Sequence, residues 1–256
     1  MVAEPFLSPT PSHLFGTDWF GRDLLARVMV GGRVSFAVAF LSVAGGGALG
    51  TLLGLLAGYF RGPFGAAILG VSDGVLAFPP VLLALVLAAV LGRGIPGVVL
   101  ALGLFNLPYF LRLSHAATLT LREREFVLAA TAAGVSTARL LFRHILPNLA
   151  SPLLVQATVS LGAALLAEAS LAYLGLGVQP PHPTWGRMLG EAQSWLGRSP
   201  YPALFPGLVL ALTVLGLNVL GDLLRDLLDP RVRPLLFSPF GPRPRGERKG
   251  EGGGAP

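Results

Sequence analysis

The chain has no cysteine, one lysine (Lys249) and only 12% charged residues, against about 25% in an ordinary soluble domain. Without cysteine there is no disulfide framework, no thiol nucleophile and no Cys-ligated metal or cluster. His13, His115, His144 and His182 form no H-x-x-x-H pair, so no protein-held metal is expected. A phosphate-cradling P-loop needs Gly-Lys-Ser/Thr, and Lys249 is followed by Gly250, which excludes ATP hydrolysis through that motif. Met1–Pro11 is polar and Pro-rich and lacks the apolar centre of a cleavable signal peptide.

What is present is apolar. Hydrophobic residues make up 53% of the chain, mean hydropathy is +0.68, and Val34–Phe60 carries no charge at all. About 20 apolar helical residues cross a bilayer. The uncharged runs predict five spans, Val34–Phe60, Gly74–Gly92, Gly97–Leu113, Leu149–Tyr173 and Leu204–Leu224, in an all-α, polytopic transmembrane helical bundle. The net charge of +6 comes from arginines lying between these runs, a pattern that reads as membrane topology and not as nucleic-acid binding. Arg61, Arg112, Arg122, Arg124, Arg139, Arg143 and the bases after Leu224 fall on one side. Arg22, Arg27, Arg33, Arg93, Arg187 and Arg198 fall on the other. By the positive-inside tendency the polar stretch Ser114–Asn148 and the C-terminus are cytoplasmic and Met1–Arg33 is outside. The expected organisation is an extracytoplasmic segment 1–33, a transmembrane domain 34–233 with a cytoplasmic loop at 114–148, and a disordered cytoplasmic tail 234–256.

Gly46, Gly50, Gly54 and Gly58 recur every four residues and lie on one helix face, where another backbone can approach closely. Two motif matches are discounted. Gly45-Gly46-Gly47-Ala48-Leu49-Gly50 fits a dinucleotide fingerprint but sits inside an apolar span with no preceding strand. Gly70-Val71-Ser72-Asp73-Gly74 fits a hydrolase elbow with Ser72 as nucleophile, but it opens a membrane helix and not a sheet-edge turn. Two ionisable residues fall within or beside spans: Asp73, expected at the cytoplasmic N-terminus of the second span, and Glu168, deeper. An ion-coupled secondary carrier would normally show several such groups facing one another. Asn106, Gln156 and Asn218 are read as interhelical hydrogen-bond partners. Glu168 and the Gln179–Trp185 segment carry no expectation beyond an outward-facing turn.

Within the cytoplasmic stretch, Ala129, Ala130, Ala132, Ala133 and Gly134 have almost no side-chain bulk. Gly134 is expected to end or bend one helix, and Ser136 or Thr137 to cap a second before Pro147. Two short helices around a small-residue turn suit insertion into a partner's groove. The plain alternative is that alanine is simply a good helix former.

The spacing Ala129-Ala130, Gly134, Leu146-Pro147 resembles the E-A-A loop of permease subunits of ABC importers. Other stretches are similar to the C-type subunit of the dipeptide, oligopeptide and nickel branch. They are His13-Leu14-Phe15-Gly16-Thr17-Asp18-Trp19-Phe20-Gly21-Arg22-Asp23, Gly32-Arg33-Val34-Ser35, Glu168 to Pro181 with Trp185-Gly186, Leu204-Phe205-Pro206-Gly207, and Gly221 to Arg231. The resemblance runs from about His13 to Arg233. It implies a type I importer permease that forms a translocation path with a homologous permease in the cell membrane. Two ATPase subunits would bind the ATP, so this chain would carry no cofactor, and an extracytoplasmic solute-binding protein would deliver a peptide, nickel or another small solute. Ala129, Ala130, Gly134, Leu146 and Pro147 would contact an ATPase. No catalytic, cofactor-binding or metal residues are implied. Two departures stand out: Leu128 replaces the family's Glu, and His144 occupies a position usually apolar. Family members carry a sixth span ahead of the Gly-Thr-Asp segment, so a start downstream of the true one, or a shortened form, is expected. A secondary carrier, a Ser72-dependent membrane hydrolase and a purely structural subunit remain as rivals.

Overall fold

Asp23 begins the first long helix. Its carboxylate accepts a hydrogen bond from the Ala26 amide at 2.8 Å, satisfying one of the donors that a helix start leaves free. The computed structural model describes residues 3–92 and 94–228, with backbone alone at Pro80 and Val81. The elements are α1 (Leu24–Tyr59), α2 (Pro63–Leu76), α3 (Pro80–Leu91), α4 (Ile95–Leu121), α5 (Glu125–Ala132), α6 (Thr137–Arg139), α7 (Ala150–Tyr173), α8 (Trp185–Ala192) and α9 (Tyr201–Leu228). No strand occurs among the described residues, only isolated bridges at Thr10–His13 and Thr17–Asp23. The expected tail 234–256 lies outside the described residues.

α1 and α4 form the closest helix pair, and the glycine stripe is the reason. A Cβ on Gly46 would overlap the Gly103 carbonyl, one on Gly50 the Leu107 carbonyl, and one on Gly54 the Leu111 carbonyl; on Gly58 it would reach 2.7 Å from Thr118 Cβ. Both residue numbers rise together, so the two helices run parallel. α7 runs against them, with Ser35 beside Glu168 at one end and Leu55 clustered with Leu149 at the other. α9 is antiparallel to α7, since Gly162 faces Val214 and Asn218 while Gly221 faces Thr158 and Val159.

Four helical stretches are long and apolar enough to cross a membrane: Leu24–Tyr59, Ile95–Leu121, Thr137–Tyr173 and Tyr201–Leu228. Large apolar side chains remain exposed along them, among them Phe40, Leu52, Leu100, Leu154 and Leu212. Such all-round apolar helices suit a lipid environment.

The structure corrects several expected boundaries. The helix that carries the first expected span starts at Leu24, ahead of Val34, because Asp23 caps it, and the charges Arg27 and Arg33 lie inside it. At about 1.5 Å per residue its 36 residues exceed the roughly 30 Å hydrocarbon core by several turns. The second expected span, Gly74–Gly92, is not one helix. Pro79 takes an extended conformation ahead of Pro80 (ψ 128°) and separates α2 from α3, as the residue before a proline is pushed out of the helical region. Asp73 therefore sits in the last turn of α2, not at a helix N-terminus; its carboxylate accepts from Arg112 Nη2 at 2.6 Å, and the pair is exposed. The helices that carry the third and fifth expected spans run Ile95–Leu121 and Tyr201–Leu228.

Asn106, Gln156 and Asn218 make no interhelical hydrogen bond among the described residues. Asn106 donates to Leu102 O and Gln156 to Ser160 Oγ, both on their own helix, where a partner one turn away is always in reach.

Asp23 also meets His13 Nδ1 at 2.8 Å. Burial alone raises its pKa, but the Ala26 and Leu25 amides and His13 outweigh it and hold the carboxyl below the usual range. Its contribution to stability is therefore complete above the unfolded-state value of about 3.9 and lost as pH falls through the lower folded value. Asp23→Ala is expected to remove about 1 kcal/mol of stability at neutral pH and to leave a smaller difference in acid. Thermal unfolding of both proteins in detergent across that pH range checks it.

Candidate functional site

The polar stretch Ser114–Asn148 is helical for most of its length, not an open loop. α4 continues to Leu121, and the Arg122 guanidinium then turns back to donate to Tyr59 O at 2.8 Å, tying the chain to the end of α1. Arg61 and Glu123 pair across the same corner. α5 comes next and buries Val127 against Leu55, Leu140, Leu141, Ile145 and Leu149, with Ala130 and Val135 packed at the edge. The sequence folds into an elbow because alanine favours helix while Gly134 stops it.

Gly134 has φ +77°, a left-handed conformation that a side chain disfavours. Its amide donates to Thr131 O at 3.0 Å and the Val135 amide to Ala130 O at 3.1 Å, the paired bonds of a Schellman ending. Ser136 occupies the next N-cap position in an extended conformation, but its side chain makes no capping bond. Nor does Pro147 end the second helix. With no amide hydrogen to give the Arg143 carbonyl, Pro147 is accommodated by a π turn at Leu140–Ile145 and a 3-10 turn at Leu146–Leu149, and the chain continues into α7. Thr137–Tyr173 is thus one uninterrupted apolar helical path leading from the elbow.

Of the five residues expected at the contact, Ala129, Gly134 and Pro147 are exposed. Ala130 and Leu146 are half-buried against the elbow's own core. Ala132 and Ala133 extend the exposed small-residue surface, and a Cβ on Gly134 would meet nothing within 4 Å among the described residues. Leu128 points outward at 55% exposure, and Phe126 and Phe142 are exposed as well. These two aromatics were not singled out from sequence, where an isolated Phe between apolar runs carries no signal. The elbow also gathers Arg124, Arg139 and Arg143, all exposed.

At the opposite end, residues 3–23 fold over α8 and the start of α9. Asp18 is fully buried; it accepts from the Phe20 and Arg22 amides, from Arg22 Nε at 2.7 Å and from Arg27 Nη1 at 2.6 Å. Arg27 reaches on to Glu191, which also pairs with Arg187. Phe15 stacks on Phe205 at 4.1 Å between ring centres. The sequence motifs around Gly16-Thr17-Asp18 and Trp185-Gly186 therefore belong to one cap at this end of the bundle, a convergence that spacing alone did not reveal.

Between the two ends an apolar groove of about 600 Å³ opens along α1 and α7, lined by Phe40, Gly47, Leu55, Phe110, Leu153 and Leu161 among others. Among the described residues, Thr51 is the one lining residue with a polar side chain, so the groove offers little to recognise a polar solute. Ser72, half of the discounted hydrolase motif, is buried inside α2 with its hydroxyl unpartnered among the described residues. A nucleophile elbow requires instead a sharp strand-to-helix turn that exposes the hydroxyl.

Comparison with known proteins gives a consistent result. A family model described as "Binding-protein-dependent transport system inner membrane component" matches residues 50–234. The dipeptide transport system permease protein DppC of Alkalihalophilus pseudofirmus is 44% identical over 225 residues, covering 88% of this chain and 74% of that protein. The glutathione transport system permease protein GsiD of Pectobacterium atrosepticum is 43% identical, covering 88% and 75%. An inward-facing structure of the MetNI methionine ABC transporter superposes with a TM-score of 0.64 at 18% identity, covering 80% of this chain and 97% of that one.

Proposed function

Because the chain belongs to the family of binding-protein-dependent inner membrane transport components, the permeases of ABC importers, we propose that it forms one half of a peptide translocation path and converts ATPase closure into helix movement through the 125–147 elbow. It is a multi-pass membrane protein. Its family works with a second permease, ATPases and a binding protein. For this chain the specific assembly is one homologous permease, two ATPase subunits that bind the ATP, and one extracytoplasmic binding protein. The protein itself catalyses no reaction and holds no cofactor. The elbow and the C-terminus face the cytoplasm, in keeping with the arginines gathered at that end.

One observation carries the reading: an exposed, bulk-free surface, Ala129, Ala132, Ala133 and Gly134, stands at the mouth of a continuous helical path that runs to Tyr173. Its underside is fastened to α1 and α4 by Val127, Leu140 and the Arg122–Tyr59 bond. A groove that closes on the surface therefore moves three spanning helices together. Short peptides are the cargo suggested by the dipeptide and glutathione permeases among its relatives.

The test is uptake of a labelled dipeptide into vesicles holding the four-subunit membrane assembly, with loaded binding protein outside and ATP inside. Uptake is expected to require ATP and to persist when ionophores collapse the ion gradients. Uptake that stops with the gradients while ATP is intact would establish an ion-coupled carrier instead.

A further inference from the structure

Glu168 is fully buried in the last turns of α7, and no cation lies within ion-pair distance of it among the described residues. Burying a carboxyl group is expensive, and a leucine or methionine would fill the same space without that penalty. The hydrogen bonds around it indicate what it does. Ser35 Oγ on α1 donates to Glu168 Oε2 at 3.0 Å and accepts from the Trp185 amide, the first residue of α8, at 3.3 Å. The other carboxyl oxygen, Oε1, has no hydrogen-bond partner among the described residues. Trp185 Nε1 donates to Val28 O at 2.9 Å.

Glycines let the three elements come this close. A Cβ on Gly32 would lie 2.7 Å from the Trp185 ring, and one on Gly186 would overlap the Ala169 backbone. The result is a three-way joint whose polar centre is Glu168, Ser35 and the start of α8. Beyond it, Arg27, Glu191 and Arg187 extend the same connection into the outer cap. At the other end of the bundle, α1 and the α7 path meet again in the elbow's core through Leu55 and Leu149.

We infer that Glu168 is a positioning residue that locks the outer turn before α8 to α1 and α7, so that engagement of a binding protein at the outer cap is transmitted along those two helices to the ATPase elbow. This rests on the importer reading above. The linkage works through the hydrogen bond to Ser35, which the amide oxygen of a glutamine accepts as well as a carboxyl oxygen does. A side chain of equal volume without an acceptor leaves the helices packed but unlinked.

The test uses the whole importer in vesicles and reads the rise in ATP hydrolysis when loaded binding protein is added, alongside hydrolysis without it. Glu168→Gln should keep the stimulation within about twofold of the unsubstituted assembly. Glu168→Met should lower it at least about fivefold, the low end of coupling between distant sites, while hydrolysis without binding protein is unchanged. Ser35→Ala should lower it in the same way and should add little to Glu168→Met, as expected for two residues in one contact; it also carries the test if the methionine variant does not assemble. Full stimulation with both Glu168→Met and Ser35→Ala, or a glutamine variant as defective as the methionine one, overturns the inference. Absence of ATP-driven uptake by the unsubstituted assembly would overturn the importer reading, and this inference with it.

Discussion

Gly134→Arg is expected to lower ATP-driven uptake at least about tenfold, equivalent to about 1.4 kcal/mol, while leaving the protein inserted in the membrane. The residue's φ of +77° makes any ordinary side chain unfavourable by about 1–2 kcal/mol, and the paired bonds to Thr131 and Ala130 depend on that conformation. A Cβ on Gly134 meets nothing within 4 Å among the described residues, so the arginine side chain starts unobstructed and adds bulk to the surface proposed to enter an ATPase groove. Gly134→Asn separates the two effects. Asparagine tolerates the left-handed region and adds modest bulk, so it should retain more transport than arginine. Membrane fractionation together with vesicle uptake measures both parts, and wild-type uptake by the arginine variant would sink the docking role. Ala130 is a less clean probe than its neighbour Ala129. Half-buried against Val127 and Leu140, a bulky side chain there would disturb the elbow's own packing first.

The largest effect on stability is expected at the glycine stripe of α1. Gly46→Leu must push α4 away, because even its Cβ would overlap the Gly103 carbonyl and backbone cannot swing aside as a side chain can. Overpacking of this kind typically costs about 1–3 kcal/mol, and a main-chain clash lies at the upper end. The Cβ of Gly45→Leu, one position away, meets nothing within 4 Å among the described residues, and this variant should unfold close to the wild-type temperature. Comparing the two variants by thermal unfolding in detergent isolates helix contact from helix propensity, since both replace glycine in the same helix with the same residue. Equal unfolding temperatures would show that α1 and α4 do not depend on that close approach.

Sequence alone determined the features that arise from local chemistry. Charge-free apolar runs dictated membrane helices, since hydrogen bonding inside a helix is how a backbone crosses lipid. The four-residue glycine spacing determined a close-packing face, and Gly134 determined a helix end, because no other residue type takes that conformation so readily. The family resemblance was legible because its motifs are spread in order along the chain, from Gly16-Thr17-Asp18 to Gly221-Asp222.

The tertiary structure decided what depends on partners distant in sequence. Which helix fills the glycine face is a property of α4, more than 50 residues away, and no periodicity in α1 names it. Pro79 precedes a second proline and is pushed out of the helical region, separating two helices, whereas Pro147 precedes Asn148 and is absorbed by a π turn in a segment packed through Leu141, Ile145 and Leu149. Glu168 shows the same divide most sharply. By sequence it was one acid near the end of a span, and its meaning arises from Ser35 and Trp185, brought to it by the fold from opposite directions along the chain. Hydrogen bonds act over about 3 Å, while Ser35 lies 133 positions from Glu168, so only the packed molecule could bring them together.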